Sequence, residues 1–166
     1  MERDVRIDEL AELLAVSTMT LATTGADGQP HAAPVYFAAS SLSSTDFSSS
    51  GEIPTHWEAP VLYFFSGLQS QHGQDIAANP RIGIAIYPPC FDWQDIRGLQ
   101  MRGIAKIIEK GDVWERGWEL YQAKFPFTSS LKEIIARNTM YIFLPSWLRM
   151  VDNRKGFGFK QEWEHL

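Results

Sequence analysis

The chain has 166 residues, of which 45% are hydrophobic and 21% charged, and its formal net charge is −5. This composition is typical of a globular protein, and a chain of this length fits one domain, 1–166, with a proper core. An acidic surface repels phosphate backbones, which disfavours nucleic acid as a partner. The single cysteine, Cys90, excludes an intrachain disulfide and a cysteine-based metal cluster.

The cellular location is indicated by the amino-terminal stretch and by the lengths of the apolar segments. The amino-terminal stretch is charged and lacks the apolar run of a signal peptide. No segment approaches the ~18 uninterrupted apolar residues of a membrane span. We therefore expect a cytoplasmic protein without a membrane partner, and a single thiol fits such a reducing compartment.

The predicted elements begin with a helix and a hairpin. Residues 4–17 place leucines on one face at helical spacing. The period then changes to that of a strand at 19–24, and a Gly-Ala-Asp-Gly turn at 25–28 leads into a second strand at 30–39.

The segment 40–60 is the one low-complexity stretch. Seven of its first eleven residues are serine, so it buries too little apolar area to offset the entropic cost of ordering. We predict a long flexible loop. The alternative is a mobile flap over a pocket, with Phe47, His56 or Trp57 as its contact residues.

The middle of the chain predicts a strand, a short helix and a second strand. The apolar run 61–66 has strand length, and 81–87 reads as the following strand. Between them a helix covers 70–78, opened by Ser70 as its N-cap and ended by the Asn-Pro pair at 79–80.

The next strand, 98–108, alternates clearly, with Gln100 and Arg102 on the same face. A longer helix starts at Asp112, which we predict to form a capping box with Glu115. Its aromatic stripe is expected to pack on the body of the fold and consists of Trp114, Trp118, Tyr121 and Phe125.

The carboxyl-terminal part is predicted as a helical turn or two at 130–137 and three more strands, at 139–144, 148–152 and 157–163. Short strands joined by hairpins, with helices inserted, indicate an α+β fold: a split antiparallel β-barrel with peripheral helices. A Rossmann domain is excluded, because there is no βαβ repeat and no GxGxxG after a strand.

No self-sufficient catalytic set is visible in the sequence. The four histidines form no HxH or HxxxH pair, so no metal site is predicted, and the nucleophile-elbow and P-loop motifs are absent. Chemistry would therefore come from a bound cofactor, and we assign no catalytic residue.

The most informative segment, 65–80, is a candidate anion site. A strand that ends in Ser66 leads through a short turn into a helix that begins with Ser70, Gln71 and His72. Free N–H groups at a helix N-terminus carry partial positive charge, and these side chains add hydrogen-bond donors. The alternative is an ordinary capped helix without a ligand.

This segment resembles the phosphate-binding strand–turn–helix of the pyridoxamine 5'-phosphate oxidase-like FMN-binding split-barrel superfamily. There, a Ser-Arg-Lys or similar triplet opens a helix that ends in Asn-Pro. The resemblance extends over 7–163 in consistent order. The other matching segments are the hairpin 28–37, the strand 96–103 and the tail 147–160, whose Asp-Asn-x-x-Gly-Phe-Gly pattern is similar to a short, poorly characterised subgroup.

The resemblance implies an FMN cofactor, a small-molecule substrate and a homodimer with the cofactor site at the subunit interface. It implies that the helix opening holds the phosphate and that the second strand lines the ring, with aromatics such as Trp147, Phe157 or Trp163 coming from the second chain. The expected cofactor residues are Pro34, Val35, Tyr36, Ser66, Ser70, Gln71, His72, Gln100, Phe157 and Lys160.

The departures from the family pattern lower the fixed charge. Ala33 stands where the family has an arginine on the second strand, and Gln71 and His72 replace the Arg and Lys of the triplet. We therefore expect weaker FMN binding that depends on pH through His72. Arg97 or Arg102 would replace the lost positive charge if its side chain points inward. The oxidase's carboxyl-terminal substrate residues are absent, so pyridoxamine phosphate oxidation is not implied.

Three functions remain open at this point. The first is an FMN-dependent oxidoreductase that acts on a small organic molecule. The second is a non-catalytic module that binds or senses flavin or haem, and the third is an empty split barrel that serves as an interaction domain.

Overall fold

The computed structural model describes residues 5–40 and 59–164. Most of the predicted loop 40–60, with Phe47, His56 and Trp57, lies outside the described residues. The strands are β1 (Thr18–Thr24), β2 (Pro30–Ala39), β3 (Leu62–Ser66), β4 (Arg81–Ile86), β5 (Arg97–Ile107), β6 (Thr139–Asp152) and β7 (Lys160–Glu164). The α-helices are α1 (Val5–Leu14), α2 (Gln71–Ala78), α3 (Asp112–Lys124) and α4 (Lys132–Ala136).

The strands form one antiparallel sheet with the neighbour order β3-β2-β1-β4-β5-β6-β7. Because β3 also pairs with β6, six of the strands close into a barrel, and β7 extends the sheet from the second half of β6. The predicted α+β split barrel with peripheral helices is thus confirmed.

The core has an inner and an outer part. Leu21, Phe37 and Phe64 are among the side chains that fill the barrel interior and are completely buried. Tyr63 belongs to the outer part, where the first turns of α3 cover β3 and β6. A strand that is buried on both faces has no polar alternation, which explains why 61–66 reads as a continuous apolar run.

The predicted strands 139–144 and 148–152 are wrong as separate elements, since both belong to the single strand β6. Gly103 pairs with Pro145 and Arg102 with Trp147, so Ser146 is the extra residue of a β-bulge. A proline is tolerated at a bulge because the ladder hydrogen bond is already interrupted there.

Two other local predictions are also wrong. The N-cap of α3 is Gly111, without a side-chain cap bond, so Asp112 and Glu115 form no capping box and instead place two carboxylates in the positively charged first turn. The last strand starts at Lys160 rather than 157, because Gly156 and Gly158 adopt positive φ angles of 136° and 72° in the turn before it.

The bulge gives a test of the barrel's packing. A Cβ on Gly103 would overlap the carbonyl oxygen of Leu144 and lie 2.8 Å from Pro145 Cα, and backbone atoms cannot move aside cheaply. We expect Gly103→Ala to lower the free energy of unfolding by about 1–3 kcal/mol, measured by urea denaturation.

The matched control is Gly83→Ala in β4, where the new Cβ would meet Ala22 Cβ at an ordinary 3.7 Å. This variant should unfold at a urea concentration near that of the wild type. Equal losses of stability in the two variants would contradict the close approach of β5 and β6 at the bulge.

Candidate functional site

The site begins where β3 ends and α2 starts. Ser70 is the N-cap of α2, as predicted: its Oγ accepts a hydrogen bond from the Gly73 N–H at 3.1 Å and donates one to the Gly67 carbonyl at 2.7 Å. The helix ends before Asn79, whose N–H bonds back to the Asp75 carbonyl. Local signals alone therefore fix the position of this helix.

Three of the predicted residues meet at this helix opening. Ser66 Oγ lies 2.9 Å from Ser70 Oγ and 2.6 Å from His72 Nε2. Ser66 is buried, while Ser70 and His72 are half-buried and border solvent. We call these three residues the Ser66 cluster; it combines two hydroxyls and an imidazole with the N–H groups of a helix N-terminus, a donor set that suits an anion.

The imidazole of His72 is biased toward its neutral form. Burial lowers the pKa of His72, the nearby His31 lowers it further, and the Asp75 carboxylate partly opposes both. The two imidazole rings lie parallel with centroids 6.3 Å apart. His31 belongs to β2, and no local signal in the sequence predicts its position beside His72.

Gln71, predicted as a phosphate contact, is engaged elsewhere. Its amide donates to Asp75 Oδ1 at 2.8 Å, and Thr23 Oγ1 donates to Asp75 Oδ2 at 2.6 Å. The hydrogen bond from Thr23, followed by that from Gln71, lowers the pKa of the buried Asp75 carboxyl and keeps it ionised. The i, i+4 spacing of Gln71 and Asp75 is the only signal in the sequence that anticipates this contact.

The predicted ring-side residues alternate along β2. Pro34 and Tyr36 are exposed, whereas Val35 packs against the barrel core and offers only its backbone to a ligand. Tyr36 meets the edges of Phe125 and Phe127, at centroid distances of 5.1 and 5.9 Å. The surface beside Pro34 is therefore aromatic.

The arginines expected to compensate for the lost charge do not reach the Ser66 cluster. Arg97 forms an ion pair with Glu12 at 2.6 Å, and the Arg102 guanidinium lies 4.2 Å above the Trp147 ring. Gln100 is on the same outer face of β5, where its side-chain oxygen accepts a long hydrogen bond from Arg149. Within one chain, neither arginine therefore meets the condition for replacing the lost charge, which was that it point inward.

Phe157 and Lys160 lie far from the Ser66 cluster within one chain. Ser66 pairs with Thr139 at the start of β6, whereas Lys160 pairs with Val151 near its end. Twelve residues of strand at roughly 3.3 Å each separate these two points. Phe157 is 85% exposed and contacts Trp93, so a single chain does not bring it to the cluster.

The other two aromatics expected from a second chain are less accessible. Trp147 is buried beneath Arg102 and Arg149, and Trp163 packs against the barrel core. Within the described ranges no three His, Cys, Asp or Glu side chains converge as metal ligands do. Nor does any helix among those residues have the length and apolarity to cross a membrane.

Comparison with known protein families gives a match over most of the chain. Residues 7–140 match the model of the family described as pyridoxamine 5'-phosphate oxidase. The chain belongs to this family. A relative named pyridoxine/pyridoxamine 5'-phosphate oxidase, from Cupriavidus metallidurans, is 30% identical over 122 residues, which cover 73% of this chain and 45% of the relative. This chain thus spans about half the length of that relative.

Solved structures share the family fold at low identity. A heme binding protein from Mycobacterium smegmatis superposes with a TM-score of 0.68 and 20% identity, over 99% of this chain and 60% of that one. HutZ, the heme storage protein from Vibrio cholerae, gives a TM-score of 0.64 and 14% identity, over 87% and 91% of the two chains. At such identities the similarity establishes the fold alone.

The titration of His72 tests the site as described. In an NMR pH titration its midpoint should lie below the ordinary 6.5, because burial disfavours the imidazolium. His31→Gln should raise this midpoint but leave it below 6.5, since burial, the larger cause, remains. A midpoint at or above 6.5 in the wild type would contradict the geometry.

The lowered pKa of His72 also makes the stability of the fold depend on pH. The unfolded chain takes up its proton near pH 6.5, before the folded protein does, so the free energy of unfolding should fall as the pH is lowered through this value. His72→Gln removes that part of the pH dependence and serves as the control.

Proposed function

We propose that this protein binds flavin mononucleotide at the Ser66 cluster and acts as an oxidoreductase on a small organic molecule. The observation that carries the proposal is the convergence of Ser66 Oγ, Ser70 Oγ and His72 Nε2 at the N-terminus of α2. The three side chains fit a phosphate, because each can donate a hydrogen bond to its oxygens once their present bonds to one another are exchanged.

Charge in this site would come from a proton rather than from a fixed cation. The imidazole of His72 is held toward its neutral form by burial, and a dianion beside it would favour the protonated form. Phosphate binding would then be coupled to proton uptake by His72. The ionised Asp75 sits three residues further along α2, where it would limit the net attraction for an anion.

The rest of the flavin would lie along β2. Exposed Pro34 and Tyr36 offer the contact surface, and the exposed ring of Phe127 lies beside Tyr36. When bound, the flavin would supply the redox chemistry by accepting and passing on a hydride. The chain's own part is to hold the phosphate and to exclude water from one face of the ring.

A second copy of the chain would complete the site. The separation between Ser66 and Lys160 along β6 supports this, because one chain cannot bring Phe157 and Lys160 to a flavin held at α2. Gln100 would also approach from the partner, since it projects from the outer face of β5. We therefore propose a homodimer with two shared sites.

The alternative function is haem binding without catalysis. Two proteins of this fold are named for haem, and the imidazole of His31 offers a specific feature for it. His31 is half-buried and its ring nitrogens make no hydrogen bond to the described residues, so a nitrogen is available to ligate iron.

Titration of the apoprotein with FMN, followed by flavin fluorescence, tests the main proposal. Ser66→Ala and His72→Gln should each weaken binding about tenfold, because the first removes a hydrogen-bond donor and the second removes the group that becomes positively charged beside the phosphate. Gln74→Ala, on the exposed side of α2, is the control and should bind like the wild type.

The pH dependence makes the test sharper. Wild-type affinity should fall as the pH rises from 6.5 to 8, and His72→Gln should lose this slope because it cannot take up the proton. Unchanged affinity in both Ser66→Ala and His72→Gln would sink the phosphate site. If the protein sediments as a monomer with FMN bound, the site is not shared between two chains. If neither NADH nor NADPH bleaches the bound flavin, the result favours a flavin carrier over an enzyme.

Haemin titration decides the alternative. If haem is the ligand, the wild type should give a Soret band at stoichiometric haemin, and His31→Ala should lose or shift it because the axial imidazole is gone. His72→Gln is the matched histidine control and should retain the band. Identical spectra for the wild type and His31→Ala would exclude His31 as the iron ligand.

A further inference from the structure

A cavity of about 350 Å³ lies between α3 and α4 and shares no residue with the Ser66 cluster. Its volume falls within the range of small-molecule sites. Most of its wall is formed by two tryptophans, two lysines, one aliphatic side chain and one amide side chain: Trp114, Trp118, Lys110, Lys132, Ile135 and Asn138.

The aromatic part of the wall is a pair of indoles. Trp114 and Trp118 stand one turn apart on α3, with ring centroids 5.9 Å apart and planes inclined by only 26°. Trp118 is held in place by an edge contact with Phe65, at 5.9 Å and 88°. Two nearly parallel indoles in a fixed position form a surface against which a planar ring can stack.

The wall also carries an excess of positive charge. Lys110 Nζ lies 3.0 Å above the Trp114 ring, and Lys132 is the first residue of α4. Within the part of the chain that the structure describes, neither ammonium forms an ion pair. Glu115 is the single carboxylate in the lining, so two lysines against one glutamate leave a net charge of +1, which favours an anionic ligand.

A neutral polar group lies at another point of the wall. Asn138 uses one amide N–H on the Ile134 carbonyl at 3.2 Å, which leaves its second N–H and its side-chain oxygen available to a ligand. This oxygen lies near Gly67, the residue after Ser66, so the cavity borders the back of the turn that enters α2.

We propose that this cavity binds a planar aromatic carboxylate. The ring packs against the indole pair, chiefly on Trp118, because the Lys110 ammonium covers one face of Trp114, and the carboxylate lies between the ammonium groups of Lys110 and Lys132. The wall suits this class of ligand because it joins flat apolar surface to unneutralised positive charge. The site is independent of the proposed flavin site, because the two have no side chain in common.

The probes are indole-3-acetate and its uncharged isostere indole-3-acetamide, followed by NMR of the indole N–H signals of ¹⁵N-labelled protein. The signals of Trp114 and Trp118 are assigned from Trp114→Phe and Trp118→Phe. Indole-3-acetate should shift these two of the six tryptophan signals, and its affinity should exceed that of the amide about fivefold.

Lys132→Gln should lower the affinity for indole-3-acetate about fivefold and leave that for the amide unchanged. Lys106→Gln, an exposed lysine on β5 outside the cavity, is the matched control and should change neither. Lys132→Gln should give the same FMN titration as the wild type, whether or not the wild type binds FMN. A failure of the cavity proposal can therefore be distinguished from a failure of the flavin proposal.

Three results would overturn the proposal. These are the absence of any shift at Trp114 and Trp118 at millimolar indole-3-acetate, equal affinities for the acid and the amide, and an affinity for the acid that Lys132→Gln does not alter.

Discussion

The pairing of β3 with β6 is the constraint on which the rest of the structure depends. β3 is only five residues long, yet it pairs with β2 on one side and β6 on the other and so closes the barrel. Its end at Ser66 is thereby fixed, and α2 starts from there. Its outer face is covered by α3, where Gly117 packs so closely on Tyr63 and Met140 that a Cβ would clash with both. Both candidate sites lie against this one strand.

The Ser66 cluster forms a polar helix opening that holds no arginine or lysine among its three side chains. The helix opening, the N-cap and the hydroxyl at the end of the strand are held by hydrogen bonds of the backbone and the serines, so this geometry needs no charged side chain. A half-buried imidazole beside a second imidazole is biased toward its neutral form. Binding of an anion there would therefore either be accompanied by protonation of His72 or rely on weaker, uncharged hydrogen bonds.

Predictions from the sequence succeeded where the signal is local and failed where contacts with a strand remote in the chain determine the conformation. Helix α2 was predicted to within one residue, because Ser70 and the Asn-Pro pair act within the helix itself. The sequence predicts two separate strands where β6 is continuous, since the bulge at Ser146 depends on Gly103, about forty residues earlier. The amide of Gln71 turns to Asp75 because Thr23 of β1, 52 residues away along the chain, holds this carboxylate in place.

The sequence by itself determined the family, through the resemblance of its motifs in their order along the chain. It also determined the α+β class and the helix opening at Ser70, since periodicity, capping residues and turn residues act over a few positions. Only the tertiary structure decided which side chains share a site. It brought His31 beside His72, directed Arg97 to Glu12 and Arg102 to Trp147, and placed Lys160 at the opposite end of β6 from Ser66. The physical reason is that strand register and barrel closure set these distances, and both depend on hydrogen bonds between residues remote in the chain.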